Sequence, residues 1–284
     1  LRNRLINSSF AVDQRNTGGV QTITAGAALA YTVDRFYAYC TGANVFGQRV
    51  TGAVANTYYY RFTGAASVTA IGFAQRIEAL NSADLAGKTA TFAVDLANSL
   101  LTTVTWTAFY ANTADTFGTL ASPTRTQIAT GTFTVNSTVT RYSTQISIPA
   151  AATTGIEIVL TVGAQTSGTW TIGNPQLEEG TVASAVEREP VPWTLAKCQR
   201  YYEAGNLFIQ FPSSGANLYA GGTCGFRVTK RSTPTVTVNS TGGAFATGLT
   251  SLANNIDSFN FNCISTGAAS GANTAVTFTA TSEL

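Results

Sequence analysis

Apolar and polar side chains alternate with a period of two residues over long stretches of the chain. Val104, Trp106, Ala108 and Tyr110 share one face of an extended segment, and threonines dominate the other face. Successive side chains of a β-strand point to opposite sides of the sheet, so this pattern predicts a strand with one buried face. The same period predicts five further strands, over residues 58–62, 92–96, 133–135, 146–148 and 156–162.

Turn-forming residues separate the predicted strands at short intervals. Among them are Gly64, Asn81-Ser82, Gly87, Ser122-Pro123 and Gly155. With many β-branched and aromatic residues and no long helical period, the chain favours an antiparallel β-sandwich over a parallel α/β sheet. Beyond residue 205 the alternation continues in a smaller unit, with strands predicted at 207–211, 226–228, 236–238, 259–263 and 276–280.

The segment from Trp170 to Glu203 is predicted to join two domains. Asn174-Pro175 is expected to end the last strand of the first domain, because proline donates no hydrogen bond to a neighbouring strand and restricts the residue before it. A charged run from Glu178 to Glu189 is predicted to be solvated. Apolar residues at the spacing of a short helix, which Gly205 could close, then follow: Leu195, Cys198 and Tyr202. The predicted domains are 1–189, a linker with a short helix over 190–204, and a C-terminal β domain over 205–284.

Short motifs occur in a fixed order over nearly the whole chain. Those of the first domain are Asn3-Arg4-Leu5-Ile6-Asn7, Asp13-Gln14-Arg15-Asn16, Tyr31-Thr32-Val33-Asp34-Arg35-Phe36, Gln75-Arg76-Ile77-Glu78, Leu85-Ala86-Gly87-Lys88-Thr89 and Arg141-Tyr142-Ser143. Those of the joint and the tail are QLEEG at 176–180, EREP at 187–190, KCQRYYE at 197–203, STPTV at 232–236 and TATSEL at 279–284. In this order they resemble a widespread family of phage tail-fibre and related virion appendage proteins.

The resemblance implies a jelly-roll domain similar to carbohydrate-binding modules. The expected fold class is therefore all-β: an antiparallel jelly-roll β-sandwich, a short connecting helix and a smaller C-terminal β-sandwich. The resemblance also implies a homotrimer, exposed on a virion tail or capsid, with the C-terminal domain as fibre tip or oligomerisation unit and host surface polysaccharide as the partner. Because the sequence opens on Leu1 and contains no methionine, we expect it to be part of a longer chain whose N-terminal region contacts other virion proteins.

The residue inventory argues against an enzyme and against a cofactor or metal site. The chain contains no histidine, which excludes Ser-His-Asp and Cys-His catalysis and histidine-based metal sites. Its four cysteines are widely spaced and are expected to be buried as small apolar residues. Charged residues make up 11% of the chain with a net charge of +2, so neither nucleic acid nor an anionic membrane is an expected partner. No apolar run is long enough for a spanning helix.

Aromatic residues are the candidates for glycan binding. Sugars stack their C–H surfaces on aromatic faces, while amides, hydroxyls and guanidinium groups bind their hydroxyls. Tyr59 and Arg61 share the strand face opposite Tyr58, Tyr60 and Phe62, so one of these sets is expected to face outward. A second aromatic rim is predicted from Phe109, Tyr110 and Phe117, near Asp115, and a third candidate is Tyr219, predicted on a loop. The alternative for each residue is packing in the core or at a subunit interface.

Three functions remain open on the sequence alone. The first is a non-enzymatic tail-fibre or receptor-binding subunit that attaches to glycans on the host cell surface. The second is a purely structural capsid or tail subunit, in which the sandwich serves assembly without binding glycans. The third is a depolymerase, which needs two carboxylates at a defined separation. The candidate carboxylates, Asp84, Asp95, Asp115 and Glu157, form no pair that their spacing fixes.

Overall fold

A computed structural model describes residues 2–52, 57–244 and 246–284, with side chains described outside 240–249, 252, 253 and 269. The chain divides into two compact units. The first unit comprises Leu1–Thr194 with Leu284, and the second comprises Leu195–Glu283. The division falls inside a short helix, α2 (Val191–Gln199).

The first unit is an antiparallel jelly-roll β-sandwich, as predicted. Its strands are β1 (Gln21–Ile23), β2 (Ala30–Tyr31), β3 (Phe36–Thr41), β4 (Val45–Thr51), β5 (Tyr58–Thr63), β6 (Ala70–Ile77), β7 (Thr89–Asn98), β8 (Thr103–Ala111), β9 (Arg125–Thr134), β10 (Thr140–Ser147), β11 (Ile156–Val162) and β12 (Thr169–Glu179). A short helix, α1 (Ala79–Ser82), and a 3-10 turn (Ala83–Leu85) connect β6 to β7. One six-stranded sheet, the front sheet, has the order β1-β4-β5-β12-β7-β10, and the other, the back sheet, has the order β2-β3-β6-β11-β8-β9.

Aromatic side chains from both sheets fill the space between them. Tyr60 and Phe62 of β5 are buried, and the indole of Trp170 on β12 stacks on Phe62 with ring centroids 5.3 Å apart. Phe73 of β6 crosses from the back sheet and stacks on Tyr60 at 5.2 Å. Stacked and edge-on aromatic pairs of this kind add to the burial of apolar area, which is the main force that holds a sandwich together.

The predicted end of the last strand at Asn174-Pro175 is wrong. β12 continues to Glu179, and its register with β7 shifts between Gly173 and Gln176, which marks a β-bulge. A bulge accommodates both residues: Pro175 has no amide hydrogen to pair, and Asn174 adopts a left-handed conformation with φ of 44°. The bulge therefore redirects the strand without ending it.

The prediction that the charged run from Glu178 to Glu189 is solvated is also wrong for its first residue, Glu178. Glu178 is 3% exposed, and its carboxylate accepts hydrogen bonds from the Ser184 amide at 2.7 Å, the Ser184 hydroxyl at 2.6 Å and Nε2 of Gln176 at 2.8 Å. Glu179, one residue later, points to solvent and pairs with Lys88 at 2.9 Å. The alternation of the strand thus buries one carboxylate and exposes its neighbour.

The Glu178 carboxylate is expected to make the first unit sensitive to acid. Burial alone would raise the pKa of Glu178, but the hydrogen bonds from Ser184 and Gln176 outweigh it and lower the pKa below the ordinary value of 4.5. This contribution to stability is complete above pH 4.5 and is lost as pH falls through the folded-state pKa. Urea unfolding from about pH 6 to about pH 3 should therefore show a smaller loss of stability in Glu178→Gln than in wild type. Equal losses would contradict the prediction.

The second unit is a smaller sandwich of two three-stranded antiparallel sheets, as predicted. Its strands are β13 (Tyr202–Ser213), β14 (Ala216–Gly225), β15 (Thr235–Ala244), β16 (Ala246–Asn254), β17 (Ser258–Thr266) and β18 (Ala269–Thr281). The sheets have the orders β13-β18-β15 and β14-β17-β16. The small core contains Cys224, Val236, Phe259, Phe261, Phe278 and Ala280.

Three local predictions for the second unit are wrong. Residues 226–228 form no strand, because the chain leaves β14 at Gly225 and the Phe226 amide donates to the Asp257 carbonyl instead. Gly205 does not close the helix; it lies within β13, where the ring of Phe278 covers it. The glycine pair Gly242-Gly243 predicts a turn from its sequence, but its backbone lies in β15.

Candidate functional site

Tyr59 and Arg61 face outward from the front sheet, as the alternation of β5 predicts. Tyr60 and Phe62 are 2% and 0% exposed in the core, whereas Arg61 is exposed and Tyr59 is half-buried. On the neighbouring strands, Arg61 is opposite Gln48 of β4 and Thr171 of β12. The sequence therefore places two chemically different groups, a phenol ring and a guanidinium, side by side on one sheet surface.

The Cδ1–Cε1 edge of the Tyr59 ring is packed closely against Gly173 on β12. A Cβ atom at Gly173 would come within 3.0 Å of Cδ1 and Cε1 of the ring. Tyr59 and Gly173 are direct cross-strand partners, so glycine is the residue that permits this close approach. The residue opposite Tyr59 thus determines how closely the ring approaches the neighbouring strand.

A groove of about 360 Å³ crosses the outer surface of the front sheet above these residues. Its lining comes from the end of β4, from β5, β12 and β7, and from the segment between β9 and β10: Thr51, Gly52, Tyr59, Arg61, Ala97, Ser99, Ser137, Val139, Thr169 and Thr171. Since β4, β5, β12 and β7 are neighbours in the sheet, the groove runs across the strands. Its volume falls within the range of about 300–1,000 Å³ that is usual for small-molecule sites.

A polar cluster lies beyond Gly173 on the same face. Arg141 Nη1 of β10 pairs with Asp95 Oδ1 of β7 at 3.2 Å and donates to the Asn174 carbonyl, while Asn174 Nδ2 donates to Asp95 Oδ2 at 2.7 Å. Two buried atoms of the cluster, Asn174 Oδ1 and Arg141 Nη2, have no hydrogen-bond partner among the described residues. The bulge in β12 brings Asn174 into this position. The sequence signal for the bulge was the Asn174-Pro175 dipeptide.

Phe46 of β4 is a further aromatic residue on this face. It is 51% exposed and lies opposite Thr63 of β5, which in turn lies opposite Thr169 in the groove lining. Sequence reasoning missed it, although a phenylalanine between the buried Val45 and Gly47 has the alternation that predicts an outward position.

Several solved structures that are similar to this chain are carbohydrate-binding modules. A CBM4 structure is 15% identical with a TM-score of 0.39, over 61% of this chain and 98% of that one. The C-terminal family 22 carbohydrate binding module of Clostridium thermocellum Xyn10B is 15% identical with a TM-score of 0.34, over 62% of this chain and 94% of that one. The enzymatically active domain of bacteriophage CBA120 tailspike protein 4 is 15% identical with a TM-score of 0.36, over 63% of this chain and 21% of that one.

Carbohydrate-binding modules are structural neighbours of this chain. No protein-family model matches the sequence, and no curated protein matches it.

The predicted second rim of Phe109, Tyr110 and Phe117 does not form. Phe117 is 1% exposed beneath the guanidinium of Arg76, so its ring cannot reach a ligand. Phe109 faces outward from the back sheet, but the guanidinium of Arg125 lies 4.0 Å from the centre of its ring and covers one face. Tyr110, next along β8, points the other way and packs against the core.

The back sheet instead carries a buried ion cluster, which sequence reasoning missed. The Glu157 carboxylate is fully buried; it pairs with Arg76 Nε at 2.7 Å and with Arg125 Nη1, and it accepts a hydrogen bond from the Tyr37 hydroxyl at 2.5 Å. Burial raises the pKa of Tyr37 to about 12, although Arg76 and Arg125 act in the opposite direction. The Tyr37 hydroxyl therefore remains a hydrogen-bond donor at neutral pH, and we assign the cluster a structural role.

Tyr219 lies within β14 rather than on a loop, and it is 71% exposed. Near it the second unit has an open depression of about 730 Å³, lined by Pro212, Ser213, Ser214, Leu218, Ala268 and Ser270. Among the described residues this lining contains no aromatic ring and no charged group, so it offers fewer specific contacts for a sugar than the groove of the front sheet.

Within the part of the chain that the structure describes, no group of three or more histidine, cysteine, aspartate or glutamate residues could hold a metal ion. The four cysteines are buried, as small apolar side chains are expected to be. The described helices include none that is both long enough and apolar enough to cross a membrane.

Proposed function

We propose that this chain is a non-enzymatic carbohydrate-binding protein that holds a glycan in the groove of the front sheet. The observation that carries the proposal is the ring of Tyr59, which is packed by one edge against Gly173 and lines a groove that is rich in hydroxyl groups. Because the ring is only half-buried, it can offer an aromatic face to the C–H surface of a sugar in the groove. The hydroxyls of Thr51, Ser99 and Ser137 can exchange hydrogen bonds with those of the glycan.

The charges near the groove support binding without cleavage. Glycoside hydrolysis uses two carboxyl groups about 5–10 Å apart on either side of the scissile bond. Among the described residues, the groove lining contains no carboxylate. Asp95, on the same face, is engaged by Arg141 and Asn174. The sequence also contains no histidine, the residue that most often serves as general acid or base.

We further propose that the chain serves in a virion appendage, a homotrimeric tail fibre or receptor-binding subunit that attaches to host cell-surface glycans. The support for this is the ordered set of motifs from Asn3 to Leu284 that resembles such proteins. Adsorption of virus to host cells should then be blocked by the purified protein, and mass determination in solution should give three chains per particle. A protein that binds no glycan and blocks no adsorption would instead be a structural subunit.

Tyr59→Ala is expected to weaken glycan binding about five- to 150-fold, since stacking on an aromatic face contributes on the order of 1–3 kcal/mol. The measurement is a glycan array followed by titration calorimetry with the best ligand. The matched control is Tyr39→Ala on the back sheet, because the ring of Tyr39 is also packed closely against a glycine of the neighbouring strand, Gly72. Equal loss of binding in the two variants would contradict the proposal, because it would reflect destabilisation rather than a lost contact.

Gly173→Ala is a second variant that tests the same contact and keeps Tyr59 in the chain. The added methyl group displaces the ring from the sheet, so binding should weaken even though every polar group of the groove is retained. Gly72→Ala makes the equivalent change under Tyr39 and should leave binding unchanged. Full binding by Gly173→Ala would show that the position of the ring against Gly173 does not matter.

A further inference from the structure

We infer that the glycan held in the groove is acidic, and that Arg61 forms an ion pair with a sugar carboxylate of the kind that uronic acids carry. The inference rests on the proposed function and adds the chemical class of the ligand. Its starting point is the position of Arg61, which lines the groove and is exposed on the same face of β5 as Tyr59.

Arg61 differs from the other arginines on the strands of the first unit. Each of those has a partner: Arg49 is 3.7 Å from Asp13, Arg76 and Arg125 share Glu157, and Arg141 pairs with Asp95. Arg61 makes no hydrogen bond or ion pair with any residue that the structure describes. Its guanidinium is therefore available, with all five of its donors, to a group that enters the groove.

Among the residues that the structure describes, the groove lining supplies no negative charge to satisfy Arg61. Its described lining consists of hydroxyl, apolar and glycine positions apart from Tyr59 and Arg61. The positive charge at this surface is therefore uncompensated and attracts an anionic ligand over a neutral one. The planar fork of a guanidinium pairs with a carboxylate through two parallel hydrogen bonds, which also fixes the orientation of the ligand.

The spacing of the two side chains fits one or two adjacent sugars. Residues i and i+2 of a strand are about 6.5–7 Å apart. A pyranose ring resting on Tyr59 can thus direct its own carboxylate, or that of the next sugar, toward Arg61. The groove crosses the strands, and it continues past Arg61 to Thr171 on β12 and Ala97 on β7. The groove therefore has room for further sugars of the polymer beyond Arg61.

The test compares acidic polysaccharides with their own carboxyl-reduced forms, which keep the polymer backbone and lose the charge. Purified full-length chain is applied to affinity gels that contain a polyuronate, its reduced counterpart or a sulfated polysaccharide. We expect retention on the polyuronate, at least about tenfold weaker retention on the reduced polymer, and weakening between about 0.05 M and about 0.5 M salt. Stronger retention on the sulfated gel than on the polyuronate would overturn the assignment of a carboxylate.

Arg61→Gln should reduce affinity for the polyuronate about tenfold and leave affinity for the reduced polymer unchanged. Arg188→Gln is the matched control, because Arg188 is exposed and lies outside the groove lining, so the same charge is removed elsewhere. If the reduced polymer binds as tightly as the acidic one and Tyr59→Ala still abolishes binding, the inference fails and the proposed function stands. If no polysaccharide on a broad array is retained, the proposed function fails and the inference fails with it.

Discussion

Glu157→Gln is expected to lower the free energy of unfolding of the first unit by about 3–5 kcal/mol. The substitution keeps the shape of the side chain and removes the carboxylate that the guanidinium groups of Arg76 and Arg125 share. Those side chains are 5% and 15% exposed, so water cannot replace the lost charge. The measurement is urea unfolding followed by tryptophan fluorescence, since Trp106 and Trp170 are buried in the first unit.

The control for this prediction is the same substitution at an exposed pair. Glu179→Gln breaks the ion pair with Lys88, whose two side chains are 45% and 47% exposed. Surface pairs of this kind contribute about 0–1 kcal/mol, because solvent screens them. If Glu157→Gln proved no more destabilising than Glu179→Gln, the ion cluster would not be structural, and the role assigned to it would have to be abandoned.

The period of two residues predicted the part of the site that depends on strand direction alone. It separated Tyr59 and Arg61 from Tyr60 and Phe62, and the structure confirms that the first pair faces solvent and the second the core. The all-β class followed from the same alternation, together with frequent turn residues. Whether Tyr59 and Arg61 contact a glycan stays a prediction.

The remainder of the site depends on pairing between strands distant in sequence. Gly173 lies more than one hundred residues from Tyr59, and only the register of β5 with β12 places it beneath the ring. Asp95, Arg141 and Asn174 come from three strands, and a bulge that the sequence pattern had indicated as a strand end brings Asn174 to the others. Local periodicity contains no information on which strands are neighbours.

Buried charges were the second source of error. Glu178 was predicted to be solvated, and Glu157 was only one of four candidate carboxylates, because a carboxylate is seldom buried unless partners satisfy it. Their partners, Arg76 and Arg125 for one and Ser184 for the other, become visible only in the fold. The aromatic rim failed for the same reason, since an arginine held by Glu157 covers Phe117.

Lys230→Met is expected to destabilise the second unit by about 3 kcal/mol. Lys230 is 1% exposed, and its ammonium group donates to Glu203 Oε2 and to the Gln199 carbonyl, both at 2.5 Å. Removing it leaves the Glu203 carboxylate, also 1% exposed, with only Arg227 at 3.7 Å as a cationic neighbour, and Arg227 is 60% exposed. The double variant Glu203→Gln with Lys230→Met removes both charges and should recover part of the loss.

The positions of the tryptophans allow the effect of Lys230→Met on the second unit to be measured separately from any effect on the groove. All three tryptophans precede residue 195, so their fluorescence reports on the first unit, whereas circular dichroism reports on the strands of both. Lys230→Met should lower the urea midpoint of the dichroism change and leave the fluorescence midpoint in place.

Because the groove is lined only by residues of the first unit among those described, Lys230→Met should also retain glycan affinity. If the fluorescence midpoint fell together with the dichroism midpoint, the two units would unfold as one. If folded Lys230→Met lost glycan affinity, part of the binding surface would lie outside the front sheet.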